Sequence, residues 1–225
     1  LGDGGVAEAE RQLGEVLAVR GELAVADRTL VVVTSARGEQ LGEHKPQQLG
    51  LHGQTLWDTV VRVPLILHDP RRSDGGVRLA GQVRTVDVMP TILDLAGLPP
   101  LPHADGQSLV PVMDGRQDSA RIAYSELREL GTGRLRSATL RNGRYKLHLN
   151  PPDRQQRPSL ELYDLERDPG ELENLVDREP RTRAALLAQL QAQVAEIERR
   201  GAPWRSRVPV DEALRERLRA LGYSE

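Results

Sequence analysis

Residues 29–67 read TLVVVTSARGEQLGEHKPQQLGLHGQTLWDTVVRVPLIL, an apolar run, a polar glycine-punctuated loop, and a second apolar run. Leu30 to Val33 has no polar interruption and is rich in β-branched side chains, which predicts a strand buried on both faces of a parallel or mixed sheet. Val61 to Leu67 predicts a second strand, with a short helix before it over Gln54 to Thr59. In open α/β sheets ligands bind just beyond the carboxyl ends of strands, so a site is expected in the segment that starts at Thr34-Ser35.

Working outward, Ala9, Leu13, Val16 and Leu17 recur at helical spacing, predicting an amphipathic helix that ends near Gly21 and feeds the first strand. Downstream, Asp87 is placed to cap a helix that tolerates Pro90 in its first turn and ends at Gly97. From about Arg121 short segments alternate with turns. Leu135 to Leu140 and Tyr145 to Leu149, separated by Arg141-Asn142-Gly143-Arg144, predict a β-hairpin, because Asn-Gly readily adopts the positive φ of tight turns. Leu186, Leu190, Val194 and Ile197 line one face of a later helix. Gly201 to Trp204 forms a linker, and Ala213 to Leu221 a last short helix.

Several motifs carry a family resemblance by their order and spacing. Thr34-Ser35-x-x-Gly38-Glu39-x-Leu41-Gly42-Glu43-His44 is followed by His52-Gly53-x-x-Leu56 and Val61-Arg62-Val63-Pro64-Leu65-Ile66-Leu67. Then come Val86 to Gly97, Asp105-Gly106-Gln107-Ser108-Leu109, Gly143 to Leu147, Leu162 to Pro169, and Leu218 to Tyr223. Together they resemble the C-terminal half of the sulfatases of the alkaline-phosphatase superfamily. The resemblance implies an α/β fold: a partial sulfatase-like mixed sheet with helices over 1–115, a small antiparallel subdomain over 116–178, and C-terminal helices over 179–225. It also implies a parent chemistry, hydrolysis of a sulfate ester by a formylglycine hydrate with divalent calcium or magnesium polarising the ester oxygens.

One departure falls on that chemistry. Where the family reads T-S-D-H-G-E, with a metal-binding Asp and its neighbour, this chain has Ala36 and Arg37. Ala36 offers no oxygen to a hard cation. Arg37 adds a permanent positive charge, which at 4 Å and an effective dielectric near 20 costs about 4 kcal/mol against a unit charge and about twice that against a divalent ion. No cofactor is therefore expected on this chain, and the metal site is expected to be degenerate. Cysteine is absent and no C/S-x-P-x-R occurs, so the family's nucleophile is missing too. The chain alone is expected to be inactive, and its opening on Leu1 suggests a fragment that lacks an upstream half.

The remaining candidates are substrate-binding residues. The resemblance gives the position of His52 a sulfate-contacting or leaving-group role, which imidazole can fill as a proton donor or as a cation. His44 is a weaker candidate. Arg37 has two readings. Its guanidinium could replace the lost cation and hold sulfate or phosphate by bidentate hydrogen bonds, making an anion-binding pseudoenzyme with His52; alternatively it is solvated or pairs with carboxylates. Arg62, Asp87, Asp105 and Arg144 read as capping, turn and ion-pair residues.

Composition narrows the partners. Thirty-one basic against 33 acidic residues leave no field that would draw nucleic acid or an anionic membrane. No run of 18 apolar residues occurs. The expected partners are a sulfate or phosphate ester, and either a missing N-terminal half or a second copy. No leader sequence is legible, so the compartment stays open, although the family is often exported. With no Phe and only 3% aromatics, the core must come from Leu, Val, Ile and Ala.

Overall fold

The computed structural model describes residues 2–44, 54–72, 75–116, 121–129, 132–150 and 158–200. Its elements are α1 (Gly2–Glu22), β1 (Val31–Thr34), α2 (Asp58–Val61), β2 (Leu65–His68), α3 (Val88–Leu95), α4 (Val110–Met113), β3 (Ala123–Arg128), β4 (Leu135–Arg141), β5 (Tyr145–Leu149), β6 (Leu160–Asp164) and α5 (Pro180–Arg200). The expected linker at 201–204 and the helix at 213–221 lie outside the described residues. The chain divides into two compact units, one drawn from 1–36, 64–80 and 85–116 and the other from 37–63, 81–84 and 117–225.

In the first unit β1 pairs antiparallel with β2, Val31 opposite His68 and Thr34 opposite Leu65. The strand expected over Leu30–Val33 is present, but Val31, Val32 and Val33 are half-buried and Thr34 is exposed. An unbroken apolar run reports how much burial a strand can take, and its neighbours decide how much it receives. The strand expected from Val61 starts later, at Leu65, because Val61 closes the turn of α2. α1 ends within a residue of the expected Gly21, yet Val16 on its apolar face is 66% exposed.

α3 is held at its start by a closely fitted loop. Asp87 sits at the N-cap position, but its carboxylate does not cap the helix; Oδ1 accepts a hydrogen bond from the Gln107 amide at 3.0 Å. The fully buried Thr91 donates to the Asp87 carbonyl at 2.6 Å and accepts from the Leu109 amide at 2.9 Å. Gly97, at φ +68, closes the helix with the Gly97 and Leu98 amides on the Asp94 and Leu93 carbonyls. That is the left-handed C-terminal stop that glycine supplies without a Cβ penalty.

The second unit is an antiparallel meander, β3-β4-β5-β6. The expected hairpin forms between β4 and β5, with Arg141 opposite Lys146. Positive φ falls on Gly143 at +95, while Asn142 braces the turn by receiving the Tyr145 amide on its side-chain oxygen at 2.9 Å. Alternation sorts the strands into two faces. Ala138, Leu140, Leu147 and Leu162 pack against Leu186 and Leu190 of α5. Arg141, Lys146 and His148 stand on the opposite face and meet α2 and its approach.

Candidate functional site

The loop that follows β1 is tied back onto α2. The Gly38 amide donates to the Val60 carbonyl at 2.7 Å, and an added Cβ on Gly38 would stand 2.0 Å from the Thr59 carbonyl oxygen. Only glycine allows so close an approach of two backbones. Next to it Arg37 Nη1 lies 2.7 Å from Glu39 Oε2 and donates to the Gly38 carbonyl at 3.2 Å. Gln40, 1% exposed, donates to the Thr55 hydroxyl at 2.8 Å. Gly38→Ala is accordingly expected to destabilise the protein by roughly 1–3 kcal/mol, as overpacking against rigid backbone does. Urea unfolding checks it, and a midpoint equal to the parent's would show that the loop yields freely.

α2 is itself anchored by buried charge. Asp58 Oδ2 receives Arg141 Nη1 at 2.5 Å and Asp58 Oδ1 receives Lys146 Nζ at 2.8 Å. Lys146 Nζ also lies 2.8 Å from Glu171 Oε1. The second oxygen of Glu171 accepts the Asp58 amide at 2.6 Å, so a carboxylate 113 residues away satisfies the first amide of α2. The side chains of Lys146 and Glu171 are each 1% exposed. Glu171 holds φ +55, a left-handed conformation that costs a non-glycine residue of order 1 kcal/mol and persists where surroundings over-determine it.

Imidazoles and aromatic rings complete the cluster. His148 Nε2 is 2.9 Å from Glu171 Oε1, and Trp57 lies between His44, stacked at 4.1 Å, and His148 at 4.6 Å, with Tyr163 edge-on at 5.4 Å. Burial pushes the pKa of His148 down, against the pull of Glu171. His44 is also pushed down, first by burial, and its buried Nε2 has no hydrogen-bond partner. For Glu171 burial would raise the pKa, but the His148 hydrogen bond, the Lys146 charge and the Asp58 amide together bring it to about 2. At neutral pH the cluster holds two cations, two carboxylates and neutral imidazole. With Lys146 and Glu171 sealed from solvent, it binds α2 to the sheet.

Two of the three sequence candidates fall within the described residues. Arg37 is engaged with Glu39, His44 is stacked on Trp57, and His52 lies outside the described residues. Arg144 forms an ion pair with Asp164 at 2.7 Å. The Asp58–Lys146–Glu171 network was not anticipated. Its one sequence signal is the alternation of Lys146 and His148 with Tyr145, Leu147 and Leu149, which places two ionisable groups on a strand face. For a divalent ion the donor set does not fit: Ala36 ends in a methyl group and Arg37 is a cation. Among the described residues no group of three His, Asp or Glu side chains could hold a metal.

Comparison with known proteins places this geometry. A sequence model described as N-sulphoglucosamine sulphohydrolase, C-terminal, matches residues 50–200, well over half of the chain. The chain belongs to this family, the C-terminal region of the sulfatases. It is 27% identical to arylsulfatase K of Rattus norvegicus over 193 residues, covering 83% of this chain and 33% of that protein. It is 31% identical to the choline-sulfatase of Rhizobium meliloti over 185 residues, again covering 33% of the relative. The chain therefore spans about a third of the length of these curated relatives. A protein solved in complex with its substrate D-glucosamine-2-N,6-O-disulfate superposes with a TM-score of 0.72 at 23% identity, over 90% of this chain and 41% of that one. That likeness shows the fold, the α/β architecture of the sulfatases.

Proposed function

We propose that this chain is the C-terminal portion of a sulfatase-type sulfuric ester hydrolase whose own metal position has been lost, and that by itself it turns over no sulfate ester. The observation that carries this reading is the pair Ala36-Arg37 inside an otherwise intact Thr34-Ser35-x-x-Gly38-Glu39 frame, with Arg37 engaged by Glu39 in the same loop. The relatives are an arylsulfatase and a choline-sulfatase, so the substrate class proposed for the parent fold is a sulfate ester.

In the family reading, a divalent ion would polarise the ester oxygens and a formylglycine hydrate would attack. Neither donor set belongs to this chain, so no reaction step is assigned to its residues. What they do is positional: Gly38 lets the loop pack against α2, and Asp58, Lys146 and Glu171 fix α2 to the sheet. The Arg37–Glu39 pair supports a loop-holding role over capture of an anion. Purified chain given an aryl sulfate and calcium or magnesium is expected to show no turnover. Chelator-sensitive hydrolysis would overturn the reading. Calorimetric titration with sulfate, on the parent and on Arg37→Ala, separates the anion-binding alternative: that alternative requires heat in the first and none in the second.

A further inference from the structure

The chain has three asparagines, Asn142, Asn150 and Asn174, and they differ in the backbone nitrogen that follows each. An asparagine closes a succinimide ring when that nitrogen attacks its side-chain carbonyl carbon, which requires an N–H able to give up its proton. Asn150 is followed by Pro151, whose nitrogen carries no proton. Asn174 is followed by Leu175, whose amide donates to the Leu162 carbonyl at 2.7 Å. Asn142 is followed by Gly143. Among the described residues no acceptor takes the Gly143 amide. Asn142 is exposed, and a Cβ added to Gly143 would meet no atom beyond its chain neighbours within 4 Å, so water and base reach the turn.

The turn also activates the carbon under attack. The Tyr145 amide donates to Asn142 Oδ1 at 2.9 Å. It withdraws electrons from the side-chain carbonyl and stays in place as that oxygen gains negative charge in the tetrahedral intermediate. Asn174 Oδ1 has donors as well, the Leu162 and Val176 amides at 3.1 and 3.0 Å. What separates the two asparagines is therefore the nucleophile.

We propose that the Asn142-Gly143 turn is a modification site, where asparagine converts through a succinimide to aspartate and isoaspartate, and that the isoaspartate form loosens the hold of β4 and β5 on α2. In the first step the Gly143 N–H gives its proton to solvent base and the nitrogen forms a bond to Asn142 Cγ. The Cγ–Nδ2 bond then breaks, and Nδ2 takes a proton from water and leaves as ammonia. Water opens the ring at either carbonyl, and nothing is oxidised or reduced. Opening at the side-chain carbonyl gives aspartate with the main chain unchanged. Opening at the main-chain carbonyl gives isoaspartate, whose main chain is longer by one methylene.

That methylene falls between Arg141 and Lys146, which stand opposite each other on β4 and β5. Both hold Asp58, the first residue of α2, through Oδ2 and Oδ1. Charge-assisted hydrogen bonds of this kind depend on close geometry, so a change of register at the turn weakens them together.

The test incubates the native full chain at mildly alkaline pH and follows each asparagine by peptide mass mapping. Enzymatic methyl transfer distinguishes isoaspartate from aspartate. Asn142 is expected to convert at least tenfold faster than Asn150 and Asn174, at a rate that rises with hydroxide concentration. Asn142→Gln should abolish the change at this position, because the longer side chain closes the ring far less readily. Asn142→Asp supplies the aspartate product directly, with the main chain unchanged and an acceptor kept for the Tyr145 amide, and should unfold at the parent's urea midpoint. Chain enriched in isoaspartate should unfold at a lower midpoint and exchange its α2 amides at least tenfold faster.

An Asn142 that converts in urea but persists in the native chain would overturn the proposal, since the fold would then shield the turn. Conversion of Asn174 at an equal rate would overturn it too, as would isoaspartate-bearing chain with the parent's midpoint and α2 exchange. An Asn142→Asp midpoint as low as that of the isoaspartate form would also do so, because the added charge and not the longer main chain would be the cause.

Discussion

Lys146→Met is expected to lower the unfolding free energy by about 3–5 kcal/mol, the cost of leaving buried carboxylates without their cation. Methionine nearly matches the volume of lysine, so the loss would not come from a cavity. Lys146 Nζ stands 2.8 Å from both Asp58 Oδ1 and Glu171 Oε1, in a side chain that is 1% exposed. Without it Asp58 keeps Arg141, but Glu171 keeps only neutral donors, His148 and the Asp58 amide. Adding Glu171→Gln to Lys146→Met should restore much of the stability, since removing both members of a buried ion pair is far less costly than removing one, and Asp58 stays paired with Arg141. Urea unfolding of the two variants checks both arms. A loss under about 1 kcal/mol in the single variant would mean that water reaches the cluster.

Much of the second unit was legible because local chemistry dictates it. Asn142-Gly143 set the hairpin, and the spacing of Leu186 and Leu190 set the buried face of α5. In the first unit the strand at Val31 was legible, but its antiparallel pairing and half-exposed state were not, because a run of valines does not name its neighbours. Val61 was misplaced into a strand for a related reason: a four-residue helix such as α2 has too few turns for periodicity to separate it from the apolar run that follows. That Ala36 and Arg37 carry no anionic oxygen could be read directly, since it is a matter of which atoms are present. The Asp58–Lys146–Glu171 network could not, since its members stand 88 and 113 residues apart and each alone resembles a surface charge. Lys146 was recognised only as part of a motif, and Glu171 carried no signal at all.

Acid is expected to unfold the protein in two steps of the same sign, both set by this cluster. Glu171 has its pKa lowered from 4.5 to about 2. Below pH 4.5 the unfolded chain takes up a proton there and the native state does not, so the stabilisation from Glu171 is complete above 4.5 and is lost as pH falls toward 2. The shift corresponds to a loss on the order of 3 kcal/mol. His148 has its pKa lowered from 6.5, so below 6.5 the unfolded chain protonates at that position while the native imidazole stays neutral, and stability again falls on acidification. The urea midpoint should therefore be level above about pH 7, decline gently from 6.5, and decline steeply below 4.5. His148→Leu should shrink the upper window, of which His44 keeps a share, and narrow the lower one, because Glu171 loses the His148 hydrogen bond that helps lower its pKa; Glu171→Gln should weaken the fold at neutral pH and flatten the lower window. Exposed pairs such as Glu196 with Arg199 and Arg200 add little, because solvent screens them. A midpoint that stays level from about pH 7 to about pH 4.5 would show that His148 takes up its proton equally in the native and unfolded chains, so that burial does not hold the native imidazole neutral.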